Sequence, residues 1–376
     1  MNKKHRFFYA LLRPIGFLLA KFMFGYRYER VKNIPESYIV LSNHVTDYDP
    51  ILVGLSFDQM YFVSSEHITR WGWIYKLLNF VFEPIIRYKA TIAASTVMDI
   101  MRKVRKGNSV CIFAEGVRTW DGVSSPIVPA TAKLIKACRC KLITYKIEGG
   151  YFASPNWASS ANTRRGHLYG APVKIYSKEE IAAMSEEELD AVIRNDLYEN
   201  AYEKQKECMH RYRGRKLAEG MESLVFICPE CNGYGTFASK GDCVTCKACQ
   251  SSFTYDEYGM LHGTRFSTLL EFNDWQKEQV ARDVEQGKPY TVEHATLSTV
   301  AQHEATEVAS GKAEINSKAL RVGDHEILLS SIPDLAIHGR HCLVFSDGTA
   351  YYELRIPHGD NILRMLYYYN NCKKNT

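Results

Sequence analysis

The chain has 376 residues, of which 24% are charged and 46% hydrophobic; it is too long for one ordinary domain and too balanced for a disordered segment. A net charge of +5 is small for a protein that holds nucleic acid by phosphate neutralisation, which argues against DNA or RNA as a partner. The total hides an asymmetry. Residues 1–220 carry 33 Lys and Arg against 22 Asp and Glu, whereas residues 221–376 carry 14 against 20, so the first part should favour anionic partners such as lipid headgroups.

The amino terminus, Phe7 to Phe24, is strongly apolar, but Arg13 and Lys21 interrupt it. A spanning helix needs roughly 20 apolar residues in succession, so residues 1–25 are expected to lie in a membrane interface rather than cross it, with the basic stems reaching to the headgroups. A helix capping the next domain is the plainer alternative. No small-residue cleavage site follows, so the segment does not read as a signal peptide.

Downstream, short apolar runs alternate with amphipathic stretches. Tyr38 to Leu41, Tyr61 to Ser64, Pro84 to Tyr88, Ser109 to Phe113 and Leu142 to Ile147 read as strands, and Thr91 to Arg105 and Ala130 to Cys140 read as helices. This predicts an α/β sheet domain over residues 26–220, with reactive residues at the carboxyl ends of strands. Ser177 with Glu180 and Ser185 with Glu188 predict two capping boxes in its tail.

Three polar stretches follow predicted strands. The first is Ser42-Asn43-His44-Val45-Thr46-Asp47-Tyr48-Asp49-Pro50, with a carboxylate five residues beyond a histidine; a histidine bonded within its own loop is the commoner meaning of so short a motif. The second is Phe113-Ala114-Glu115-Gly116-Val117-Arg118, where Gly116 lets the backbone turn closely and Glu115 and Arg118 put an acid and a base on one loop. Between them, the strand ending at Arg87-Tyr88-Lys89 offers bases that could clamp a phosphate or simply be solvated. Gly149-Gly150-Tyr151-Phe152, Ser154 to Trp157 and Arg164-Arg165 could line a channel or pack as an aromatic turn.

Taken in order, NH-x4-D, a strand-end Arg and F-x-E-G-x-R resemble the motifs of the glycerolipid acyltransferase family that includes the 1-acylglycerol-3-phosphate acyltransferases. The resemblance covers about Tyr26 to Arg215 and includes the lead-in ERVKNIPESYIVLSNH. It implies that His44 is the general base that takes a proton from the acceptor hydroxyl as that oxygen attacks an acyl thioester, and that Asp49 orients the imidazole. No enzyme nucleophile is then required, because the substrate hydroxyl stands where a serine hydrolase has its serine. Arg87, Glu115, Gly116 and Arg118 match the positions that bind the acceptor phosphate. The chain departs from the family's pattern at Ala114, Val117 and Ile86, where proline, threonine and aspartate are usual, and these departures bear on the identity of the acceptor. The implied acyl donors are acyl-CoA and acyl carrier protein. The implied product, phosphatidic acid made from 1-acylglycerol-3-phosphate, places the reaction in phospholipid synthesis. His44, Asp47 and Asp49 could alternatively hold a metal ion.

Of eleven cysteines, Cys228, Cys231, Cys243, Cys246 and Cys249 fall close together. An odd total without a framework spacing predicts a reduced, intracellular compartment rather than a disulfide scaffold. Cys228, Cys231, Cys246 and Cys249 form C-x2-C-x14-C-x2-C, which resembles a zinc ribbon over residues 221–265 with a structural Zn2+, four thiolates leaving no open coordination position. Cys243 could replace Cys246 as a ligand.

A helix is expected from Leu269 to Glu285, followed by apolar runs at Glu326 to Leu329, Cys342 to Phe345 and Ala350 to Arg355, a hairpin turn at Asp347-Gly348 and a last helix at Asn361 to Tyr369. Residues 266–376 thus form a β-rich module closed by a helix, resembling a pleckstrin-homology-like domain. The expected whole is a peripheral membrane acyltransferase on the cytoplasmic face. The competing expectation is a zinc-ribbon binding or regulatory protein on an inactive acyltransferase scaffold.

Overall fold

The buried apolar runs of the first half assemble into one sheet. The structure, a computed structural model, describes residues 3–87, 94–159, 161–301, 304–357 and 360–374, apart from the side chain of His67. The strands are β1 (Arg27–Tyr28), β2 (Tyr38–Ser42), β3 (Tyr61–Ser65), β4 (Ile85–Arg87), β5 (Val110–Phe113), β6 (Lys141–Glu148) and β7 (Tyr169–Tyr176), in the spatial order β1-β7-β6-β2-β5-β3-β4. Neighbours run parallel except β6 and β7. Every position of β2 is buried, as expected of a strand inside a parallel sheet with both faces covered. Helices α1 (Lys3–Phe24), α2 (Asp49–Ser56), α3 (Trp73–Phe82), α4 (Ala94–Arg105), α5 (Thr131–Cys138), α6 (Gly150–Ala153), α7 (Lys178–Ala183), α8 (Glu186–Leu197) and α9 (Ala201–Glu207) belong to the same unit.

Ile39, Leu41, Val110 and Leu142 from the strands pack with Ile100, Val104, Ile135, Leu189 and Ile193 from the helices. Each fully buried aliphatic side chain contributes about 1.5–3 kcal/mol, so this cluster fixes the strands and the loops at their carboxyl ends. The expected strands form to within two residues, and both capping boxes are present at Ser177 and Ser185. Tyr88, Lys89 and the start of the helix expected from Thr91 lie outside the described residues. Tyr151, Phe152, Trp157 and Arg164 are all buried, with the Arg164 guanidinium 5.1 Å over the Trp157 ring; this stretch is packing rather than a channel.

Two helices carry exposed apolar faces. α1 buries His5, Tyr9, Ala20 and Phe24, and the Tyr9 hydroxyl donates to Gly54 O of α2 at 2.7 Å. Its other side exposes Phe7, Leu11, Ile15, Leu18 and Phe22, spaced three and four apart as one helical stripe. At 22 residues it is also long and apolar enough to cross a membrane, by length and composition, although its interrupting charges predict an interfacial helix. α3 was not expected. Its Trp73, Ile74, Leu77 and Phe80 point outward, so it lacks the polar face by which a surface helix is recognised.

The second unit comprises residues 216–256 and the described residues from 260 onward. It begins with a four-stranded antiparallel ribbon, β8 (Phe237–Lys240), β9 (Cys243–Cys246), β10 (Ser252–Tyr255) and β11 (Leu261–His262). Next come α10 (Leu269–Glu285) and a seven-stranded antiparallel sheet of β12 (Tyr290–Ala301), β13 (Glu304–Ile315), β14 (Ala319–Val322), β15 (His325–Leu328), β16 (Leu335–His338), β17 (Cys342–Ser346) and β18 (Tyr351–Arg355), then α11 (Ile362–Lys374). The sheet order is β15-β14-β13-β12-β18-β17-β16. Ribbon and sheet share buried polar contacts. Gln276 of α10 accepts from the N–H groups of Phe226 and Ile227 at 2.6 and 3.0 Å, Asn361 donates to the carbonyls of Glu222 and Ser223, and the Arg364 guanidinium lies 3.6 Å from the Tyr234 ring and 4.3 Å from that of Tyr290.

Candidate active site

β2 and β5 are adjacent and parallel, with Ser42 opposite Phe113. Their carboxyl ends therefore bring the His44 loop and the Glu115 loop together. Asp49, the first residue of α2, is fully buried, and its carboxylate is saturated with donors. It takes the backbone N–H groups of Val45 and Thr46 at 2.7 and 3.0 Å, the Thr46 hydroxyl at 2.6 Å and His44 Nδ1 at 2.7 Å. A carboxylate so placed at a helix amino terminus is stabilised by the helix dipole and by charge-assisted hydrogen bonds. With Nδ1 held, Nε2 is the ring atom left to accept a proton. The ring stacks on Phe113 at 4.6 Å, and its side chain is 22% exposed.

The second motif supports this dyad from below. Glu115 is buried; its Oε1 accepts from the His44 backbone N–H at 2.9 Å and its Oε2 from the Ser125 N–H at 2.5 Å. Burial pushes its carboxyl up to about 8, helped by the charges of Glu199 and Asp49 and opposed by those two hydrogen bonds. Both carboxyl oxygens of this residue, which the family resemblance puts among the acceptor-binding groups, therefore engage backbone amides. Gly116 has φ +70°, and a Cβ there would lie 2.9 Å from Arg87 Nη1. The Arg87 guanidinium thus lies against the Gly116 turn, a juxtaposition that needs glycine. Arg118 Nε is 3.3 Å from Asp47 Oδ1, so Asp47 faces the arginine, and among the described residues it does not cluster with His44 and Asp49 at metal-ligand spacing.

The arrangement gathers His44, Asp49, Arg87, Glu115, Gly116 and Arg118 at the carboxyl ends of the sheet's strands. It offers a proton acceptor oriented by a buried carboxylate and two guanidinium groups nearby, which is the equipment for activating a hydroxyl on an anionic molecule. Sequence reasoning gave no role to Glu199, which follows α8. Its buried carboxyl accepts from Asn43 Nδ2 at 2.8 Å and from Gly149 N–H at 3.3 Å. No local signal marks it, because an acid in a mixed-charge helical tail is ordinarily solvated.

In the second unit, the thiols of Cys228, Cys231, Cys246 and Cys249 all lie within 4.8 Å of one another. Sulfurs at the corners of a tetrahedron around an ion bound at about 2.3 Å are separated by about 3.8 Å. The Cys228–Cys249 and Cys231–Cys246 pairs are 3.7 and 3.8 Å apart, so the set fits a tetrahedral ion. Among the described residues, the metal-ligating side chains that cluster so closely are these four; Cys243 hydrogen-bonds Thr245 instead.

Residues 26–148 match the family model described as Acyltransferase. The first unit thus contains an acyltransferase-family domain, and all six motif residues fall within the matched stretch. Among solved structures the chain is similar to the 1-acyl-sn-glycerophosphate (LPA) acyltransferase PlsC from Thermotoga maritima, at 16% identity and a TM-score of 0.44, over 53% of this chain and 80% of that one. No curated protein matches the chain significantly.

Proposed function

We propose that the protein transfers a fatty acyl group from an acyl thioester, acyl-CoA or acyl carrier protein, to the free hydroxyl of a lysophospholipid, with 1-acylglycerol-3-phosphate as acceptor and phosphatidic acid as product. The observation that carries this reading is the 2.7 Å contact between His44 Nδ1 and the buried Asp49 carboxylate inside an acyltransferase-family domain. In the reaction, Nε2 takes the hydroxyl proton while the hydroxyl oxygen bonds to the thioester carbonyl carbon. Asp49 stabilises the imidazolium that forms. Collapse of the tetrahedral adduct breaks the carbon–sulfur bond, and the leaving thiolate recovers the proton from His44. Arg87 and Arg118 favour an anionic acceptor.

The acceptor and its product are amphiphiles, and the outward apolar residues of α1 and α3 suit a peripheral position on a membrane, here the cytoplasmic face. Zinc is the ion that suits four thiolates in a closed tetrahedral site, with a structural role. The antiparallel sheet closed by α11 supports a pleckstrin-homology-like module. The test is product analysis on vesicles with a panel of lysophospholipid acceptors and both donor types: one ester formed per thiol released, greatest with the phosphate headgroup, is expected. Thiol release without any new ester would overturn the reading.

A further inference from the structure

The His44 loop has a second support that lies outside the three motifs. We infer that Glu199 is a positioning residue for the acyl-transfer loop, its carboxyl tying Asn43 to the Gly149 turn and so fixing the backbone that carries His44; this rests on the reaction proposed above. Asn43 is fully buried, and its amide also pairs with Ile147 in both directions, at 2.9 and 2.8 Å. That pairing continues the β2–β6 junction beyond Ser42. Glu199 Oε2 holds the same amide at 2.8 Å, while Oε1 reaches the Gly149 N–H at 3.3 Å.

The turn at the other end of this bridge touches the loop directly. Gly149 has φ +77°, and a Cβ there would fall 1.9 Å from the His167 carbonyl, so only glycine fits. Gly150 presses on Val45, where a Cβ would lie 2.4 Å from Cγ2. The residues on both sides of His44 therefore bear on one turn, and Glu199 joins that turn to Asn43. The backbone of Glu199 is pinned in turn. Its N–H donates to Ser124 Oγ and its carbonyl accepts from the Ser124 N–H, each at 2.9 Å, while the adjoining Ser125 N–H holds Glu115. One residue thus links both motif loops.

Burial, reinforced by the charge of Glu148, pushes the Glu199 carboxyl up to about 8.

The test uses the full chain with Glu199→Ala, Glu199→Gln, Asn43→Ala and the double alanine variant. Hydrogen exchange at the Val45 and Thr46 amides reads the loop without turnover, and kcat per folded molecule reads the reaction. Losing a buried partner should speed exchange and lower kcat by about tenfold each, with KM unchanged, and the glutamine variant should fall between wild type and alanine. The double variant should lose no more than Asn43→Ala alone, since one pathway carries both effects. Unchanged exchange with normal kcat per folded molecule in Glu199→Ala, or additive losses in the double variant, would overturn the inference. Should the alanine variant not fold, Glu199→Gln gives the same test at smaller amplitude. A wild type that transfers no acyl group would overturn the reaction alone, because faster exchange in Glu199→Ala would still support the positioning role.

Discussion

Two groups of buried polar side chains hold this protein together, and they end differently. Around Gln276 in the second unit, the side chains of Gln276, Asn361 and Arg364 close on backbone groups and tyrosine rings of the ribbon and the sheet. Around His44 in the first unit, Asp49, Glu115 and Glu199 likewise close on backbone amides, but these belong to the His44 loop and its supports, and Asp49 also holds one imidazole nitrogen and leaves the other to accept a proton. Burial of polar groups is common to both. What distinguishes a candidate site is the reactive atom left over once the buried partners are satisfied.

The largest loss is expected in the second unit. Structural zinc in small domains supplies a large share of the folding free energy, about 10–16 kcal/mol in zinc-finger peptides. Cys246→Ser or chelation should therefore abolish the cooperative transition of the ribbon, and through Gln276 and Arg364 should lower that of the seven-stranded sheet. Calorimetry on the treated full chain checks this; a sheet transition unmoved by chelation would show that those contacts do not couple the two.

A smaller effect is expected from pH at Glu115. Folding favours its neutral form, because the carboxyl is raised from 4.5 to about 8. Its contribution to stability therefore falls as pH rises from about 4.5 through about 8 and is level above that. Glu115→Gln cannot ionise, so its melting temperature should gain on wild type over this window, by about 3–8 °C at pH 8 relative to pH 5. A difference that is flat, or that moves in favour of wild type, would mean that Glu115 is charged in the folded protein.

The smallest effect concerns Asp47 and Arg118. Their contact is partly exposed, and such pairs contribute about 0–1 kcal/mol. Freeing Arg118 by Asp47→Asn should lower KM for an anionic lysophospholipid by up to about fivefold and leave KM for a zwitterionic one unchanged. Equal changes for both acceptors would remove Arg118 from headgroup recognition.

Much of the first unit is legible in the sequence because its strands are buried on both faces and read as continuous apolar runs, and because the motif residues sit where those runs stop. The thiol cluster is legible from spacing alone. The long β12–β13 hairpin was not. Its register shifts between Val292 and Ala295 and again between Leu297 and Ser298, which breaks the alternation on which strand reading depends. In its outer part β13 is exposed on both faces and β12 is only half-buried, so no buried–exposed alternation marks it. Glu115 was legible as a motif residue, but its engagement with two backbone amides was not, since hydrogen bonds to N–H groups leave no trace in residue type. Glu199 lies 156 residues from Asn43, and only the folded chain brings them together.

On the proposed mechanism, His44 removes the acceptor proton. The most direct measurement is acyl transfer by His44→Ala on lysophospholipid-containing vesicles, with folding checked by circular dichroism and both the ester product and the released thiol quantified. The expected result is an unchanged fold and a loss in kcat of about 10²–10⁴-fold, with ester and thiol falling together. Turnover near the wild-type rate in the folded variant would contradict it.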